Sequence, residues 1–196
     1  MKETVSKSII WNKACTSAII LALVPILYSI IGRLLSGTSA EGAASFGITL
    51  LTFILWMVKF GLCIWLMAFF MKRLVSEYDG VTNKETFNYG VAIALLSAIL
   101  VAGWQLLDMN VLHPDYWRET FNEATKQFAS MMDANSREAL ANMEGSFPTI
   151  SFLANLIYCF LFGVVLSAIL SRNIPNRDPF ANFRDNTDNQ DNTDNQ

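Results

Sequence analysis

The stretch "FGITLLTFILWMVKFGLCIWLMAFFMKR", residues 46–73, decides the fold. From Phe46 to Met71 the run carries a single charge, Lys59, and it stops cleanly at Lys72-Arg73. As a helix at about 1.5 Å per residue it reaches about 39 Å, more than the roughly 30 Å of a bilayer's hydrocarbon layer. It is bulky and aromatic, with Phe53, Trp56, Phe60, Trp65, Phe69 and Phe70. A soluble domain would spread its apolar residues as stripes or alternations, and this run does neither. It reads as a membrane span.

Three more blocks of the same kind follow from the same reading, at residues 14–31, 87–107 and 150–170. The chain has 196 residues, of which 53% are hydrophobic. What decides the class is their distribution, because charge gathers between the blocks. The expected fold is an all-α integral membrane protein with four transmembrane helices in a compact bundle. The first block, at 18 residues, exceeds the roughly 7–15 of a signal-peptide core. Arg33 also separates it from the small-residue pattern Thr38-Ser39-Ala40, so the first span is expected to stay uncleaved. Pro25 within it is expected to kink the helix and free a carbonyl near Leu21.

A net charge of −3 without a Lys/Arg cluster argues against nucleic acid as a partner. Cys15, Cys63 and Cys159 all fall inside apolar blocks, and an odd number without close Cys or His neighbours suits neither disulfides nor zinc. They read as small hydrophobes.

Local signals sharpen the bundle. Thr82 with Glu85 three residues later fits a capping box at the start of the third span. Gly90, Ala94, Ala98 and Ala102 then recur every fourth residue, as do Gly163, Ser167 and Ser171 in the last span. Such faces allow membrane helices to approach closely. Basic residues set the orientation. Lys2, Lys7, Lys13, Lys72, Arg73, Lys84, Arg172, Arg177 and Arg184 share one side, against Arg33, Arg118, Lys126 and Arg137 on the other. The positive-inside rule then places both termini in the cytoplasm of a cell with the protein in its inner membrane.

The segment 108–149 is the one sizeable polar loop, extracytoplasmic in that orientation. Pro114 suits a helix start. Trp117, Phe121, Ala124, Phe128 and Met131 form an apolar stripe, while Arg118, Glu119, Glu123 and Lys126 face water. A short second helix around residues 136–143 is expected to end at Gly145, with Asp133 paired to Arg137. The membrane domain is thus residues 1–172, including an outer helical cap at 114–145. Residues 173–196 form a polar tail. Pro175 and Pro179 stop the last helix, and "DNTDNQ" occurs twice, at 185–190 and 191–196. That composition predicts disorder. It is no calcium loop, since Gln190 and Gln196 replace the glycine and glutamate an EF-hand needs.

The cytoplasmic "YDGVTNKETFNYG" entering the third span and the "HPDYWRE" opening the outer loop resemble an uncharacterised bacterial membrane family. It is known as domain of unknown function 4199 and occurs mainly in Bacteroidetes. The resemblance covers roughly residues 11–172 and rests on Gly80, Phe87, Gly90 and Pro114-Asp115. It implies topology and membrane localisation and assigns no activity. Lys59 and the repeated tail take no part in it.

Lys59 is the chemical suspect, because an ionised lysine inside the bilayer is costly and functional by default. It has three readings: a polar partner among Gln105, Asn155 and Tyr158, an anionic ligand or lipid head group, or snorkelling of its stem toward the outer face. His113 stands near Asp108, Asp115 and Glu119, yet a metal needs three or four convergent ligands. Met109, Met131, Met132 and Met143 are the soft donors on that side and read as packing. Glu119 and Glu123 lie one turn apart on a wet face. Neither a catalytic constellation nor a cofactor is expected. The leading expectation is a non-enzymatic accessory or assembly subunit of the cell envelope, with the bilayer and a membrane protein as partners. The alternative is a transporter or lipid-handling protein with a cavity near Lys59 under the cap.

Overall fold

The computed structural model describes residues 7–36, 43–78, 81–128 and 133–174. Its elements run α1 (Lys7–Ser36), α2 (Ala43–Glu77), α3 (Asn83–Leu107), a π turn (Asp108–Leu112), α4 (Pro114–Phe128), α5 (Ala134–Met143), a 3-10 turn (Glu144–Ser146) and α6 (Phe147–Asn173). The described residues contain no strand. Helices α1, α2, α3 and α6 are each long and apolar enough to cross a membrane. They contain the four expected blocks but run beyond them by several residues at most ends. Backbone hydrogen bonding continues where the apolar composition stops, so the extra turns carry polar residues such as Lys13, Glu77 and Asn173. The 35 residues of α2 make a rod of about 52 Å, which must tilt or protrude from a layer of roughly 30 Å.

The helices alternate in direction. Lys13 of α1 pairs with Glu77 of α2, so these two run antiparallel. Ser17 bonds Tyr89, Ser29 bonds Trp104 and Arg33 bonds Asp108, which makes α1 and α3 parallel. Asn155 bonds Gln105 and makes α6 antiparallel to α3. Helix α3 is the centre, packed most extensively on α6 and next on α1.

Small residues explain that centrality. Gly90, Ala94, Ala98 and Ala102 are all buried. A Cβ built on Gly90 would stand 2.6 Å from the Ser167 hydroxyl, and one built on Gly163 would stand 2.4 Å from the Ala94 Cβ. The two expected faces therefore meet each other, backbone nearly on backbone. Ala14, Ala18 and Ala22 supply a third small face on α1, also buried. Thr82 caps α3 as read from the sequence: its hydroxyl accepts from the Glu85 amide at 3.3 Å, and the Glu85 carboxylate accepts from the Thr82 amide at 2.8 Å.

The bundle is tightest at one end. Ile10, Ala14, Met67, Met71, Leu74, Val81, Ile93 and Ile174 belong to one core cluster, which lies toward the start of α1 and the end of α2. Among the described side chains of α2 every buried residue lies at or after Met67, and none of residues 47–66 is buried. The first half of α2 packs less tightly, meeting the others through Lys59 over Tyr28 and the Phe60 ring 5.7 Å from that of Phe162. Pro25 does not break α1, which stays helical from Lys7 to Ser36, although its missing N–H still leaves the Leu21 carbonyl without its helical donor.

The cap differs in detail from its reading. Trp117 and Phe121 are half-buried, with the Phe121 ring 5.0 Å from that of Phe147, but the third half-buried position is Thr125 and Ala124 is exposed. A step of four keeps these three on the side facing α6. The side chains of Phe128 and Arg137, and Met131 and Met132 altogether, lie outside the described residues, as do Pro175, Pro179 and the doubled repeat. Asp133 caps α5, its carboxylate accepting from the Ser136 amide at 2.9 Å.

Candidate functional site: the cleft at Lys59

A cleft of about 120 Å³ opens between all four long helices. Leu21 and Pro25 come from α1, Lys59 and Cys63 from α2, Ser97 from α3 and Tyr158 from α6. Its walls are almost wholly apolar, with Lys59 as the charged residue among them. The Lys59 ammonium lies 4.5 Å from the centre of the Tyr28 ring and 5.1 Å from that of Phe60. Among the described residues no carboxylate pairs with it.

This replaces one expected contact. Gln105 and Asn155 do not meet Lys59. They satisfy each other, the Asn155 amide donating to the Gln105 carbonyl at 2.5 Å. The Cys159 thiol donates to the remaining Asn155 oxygen at 3.3 Å. Two side-chain amides have complementary donors and acceptors, so pairing them in an apolar bundle leaves less unmet than pairing either with an ammonium. Tyr158 does line the cleft. Tyr28 had no signal in the sequence beyond being aromatic; only the packing of α1 on α2 puts it under the lysine.

The energetics are unfavourable for the lysine. A desolvated cation–π contact is worth about 2 kcal/mol. Placing a lysine at the centre of a span costs about 2.5–3.5 kcal/mol on insertion scales. The aromatic face offsets part of the penalty and leaves room for an anion to offset the rest.

A second cluster sits at the cap end, and sequence reading missed its core. Arg33 forms a two-pronged ion pair with Asp108, which is 3% exposed. The His113 ring nitrogen Nδ1 lies 3.1 Å from the same carboxylate, and the Trp117 indole donates to it at 3.3 Å. The Arg33 guanidinium also lies 5.7 and 5.6 Å from the ring centres of Tyr116 and Trp117. The π turn organises this knot: its His113 amide bonds the Asp108 carbonyl at 2.9 Å and swings the chain from α3 into α4. Arg33 and Asp108 are 75 positions apart, but each ends a span on the same side, which is the signal that would have paired them. Asp115 and Glu119 make no ion pair with His113 among the described residues. With every oxygen of Asp108 bonded, the knot reads as a clasp between α1, α3 and α4.

Cys63 and Cys159 are free, half-buried thiols lining the Lys59 cleft, and Cys15 is free and exposed. No group of three or more His, Cys, Asp or Glu able to hold a metal occurs among the described residues.

Four apolar helices bound together by small-residue contacts and clasped by ion pairs at both ends define a small multi-pass membrane protein. Residues 16–172 match the family described as Protein of unknown function (DUF4199), and the chain belongs to that family. No curated protein and no solved structure matches it.

Proposed function

We propose that the protein is a non-enzymatic lipid-handling membrane protein in which Lys59 holds the anionic head of an amphiphile inside the inter-helix cleft. The observation that carries this reading is the lysine itself, turned into the cleft over Tyr28 with no described carboxylate beside it. Tyr28 lies five residues before Arg33, about 7.5 Å along α1, so an anion at Lys59 sits close beneath the cap-side boundary. A single ammonium in an apolar pocket suits a single negative charge on an apolar body. The accessory-subunit reading drew on well-formed packing faces together with the lack of a constellation for chemistry; of these, the small-residue faces of α3 and α6 meet each other within the chain. The excess of lysine and arginine supports an inner-membrane location with both termini in the cytoplasm.

Quenching by a brominated fatty acid tests the proposal, because Trp56 lies one turn before Lys59 with its ring 4.6 Å from that of Phe60. Wild-type protein in nanodiscs is expected to show saturable quenching, with the Trp56 share removed by Trp56→Phe. Lys59→Arg should retain binding, and Lys59→Gln should weaken it about tenfold, as expected for losing a charge-assisted bond. Equal binding by the Gln variant would end the proposal.

A further inference from the structure

The opposite end of the bundle carries another cleft, of about 270 Å³, between α1 and α2 with Tyr89 of α3 at its floor. It shares no lining residue with the Lys59 cleft. Its charges come from Lys13, Arg73 and Glu77. One Glu77 oxygen accepts from the Lys13 ammonium and the other from Arg73 Nε at 2.6 Å. That uses one donor of each cation. The four terminal N–H groups of Arg73 have no acceptor among the described residues, and the rest of the Lys13 ammonium faces the Tyr78 ring, 5.0 Å from its centre. Ser17 and Tyr89, both buried, share one hydroxyl–hydroxyl bond at 2.9 Å, which leaves the other hydroxyl hydrogen over. With the neutral polar side chains of Asn12 and Thr16 also in its lining, the cleft carries one positive charge in excess.

Its polarity is also graded with depth. Lys13 and Arg33 are twenty residues apart on one helix, about 30 Å, which is the thickness of the hydrocarbon layer. With Arg33 at the cap-side boundary, Lys13 stands at head-group level in the other leaflet. Going inward from there, α1 presents Ile20 and α2 presents Phe70 to the same cleft. Charge at the rim and hydrocarbon below match a two-part molecule lying along the membrane normal.

We propose that this cleft binds a membrane phospholipid, with Lys13 and Arg73 holding the phosphate and the acyl chains descending past Ile20 and Phe70. The phosphate oxygens supply the acceptors that Arg73 lacks, and they compete with Glu77 for both cations. Free phosphate shares the head-group chemistry but has nothing to place on the apolar wall.

Full-length protein is incubated with mixed micelles containing phosphatidylglycerol, and retained lipid is counted by native mass spectrometry. In a Lys59→Gln background, which weakens the other cleft, the protein is expected to keep one phosphatidylglycerol through addition of excess inorganic phosphate. The double variant Lys13→Gln/Arg73→Gln should lose it by about tenfold or more. Glu77→Gln should keep as much or more, because it removes the competitor and spares both cations. That variant also breaks the α1–α2 ion pair, so a lipid lost through loosened packing would fall in it too. Unchanged retention by the double variant would overturn the proposal. So would a parallel loss in Glu77→Gln, or displacement of the lipid by inorganic phosphate.

Discussion

At the scale of single residues, Asp108 and Lys59, two charged groups drawn into the apolar part of the structure, behave oppositely. Asp108 is paired with Arg33, His113 and Trp117 and has nothing left to satisfy. Lys59 has aromatic faces and no carboxylate among the described residues. Removing Arg33 strands a buried carboxylate, so Arg33→Gln is expected to destabilise the protein by about 3 kcal/mol. His113→Gln should cost far less, since that side chain is more than half exposed. Chemical denaturation in detergent micelles compares the two, and equal losses would show that Asp108 does not depend on its arginine. Lys59→Leu is expected to raise stability by about 1 kcal/mol in the same assay, the gap between insertion cost and cation–π gain. The suspicion attached to Lys59 was legible in the sequence because one charge interrupts a long apolar run. The ring beneath it was not, since nothing in residues 46–71 names a partner on α1.

At the scale of elements, the helices and their contact faces were largely legible. A four-residue recurrence of glycine, alanine and serine marks one side of a helix whatever it meets, and both marked sides proved to face each other. The alanine face of α1 follows the same rule and was readable from Ala14, Ala18 and Ala22. Gly163→Val is expected to cost about 1–3 kcal/mol, because its Cβ meets Ala94 on a rigid neighbouring backbone. Gly61→Ala, with open space around the added carbon, is the matched control and should be neutral in the same unfolding assay. In the loop, Asp133 caps α5 through Ser136, while its expected partner Arg137 has its side chain outside the described residues. Its hydrogen bonds to Ser136 hold the Asp133 carboxyl below the ordinary carboxylate range. A lowered folded-state value means the cap's contribution is complete above the unfolded value of about 3.9 and fades as pH falls through the folded one. The protection factors of the α5 amides, rates corrected for intrinsic exchange, should therefore fall only in that acid window, and Asp133→Ala should lower them at neutral pH as well.

At the scale of the whole molecule, two ionic clasps about 30 Å apart along α1 frame the membrane-spanning part. Between them the packing is uneven, dense at the end of α2 and looser along its first half, where no residue from 47 to 66 is buried. The orientation proposed for this frame predicts that reporters fused at either terminus are active in the cytoplasm, while one inserted between α4 and α5 is active outside it. A terminal fusion active only on the far side would reverse the assignment and move the cap to the cytoplasm.

The sequence by itself determined the class of protein, the four helices, their packing faces and the capping of α3. These follow from composition and from periodicity along one chain, where the distance between interacting residues is at most a few turns. Only the tertiary structure decided that Lys59 turns into a cleft, that Gln105 takes Asn155, and that Arg33 closes on Asp108. Such choices depend on which helices lie side by side and where one of them packs less tightly. That is set by the summed fit of many small contacts between α1, α3 and α6, and no single segment of the chain carries it.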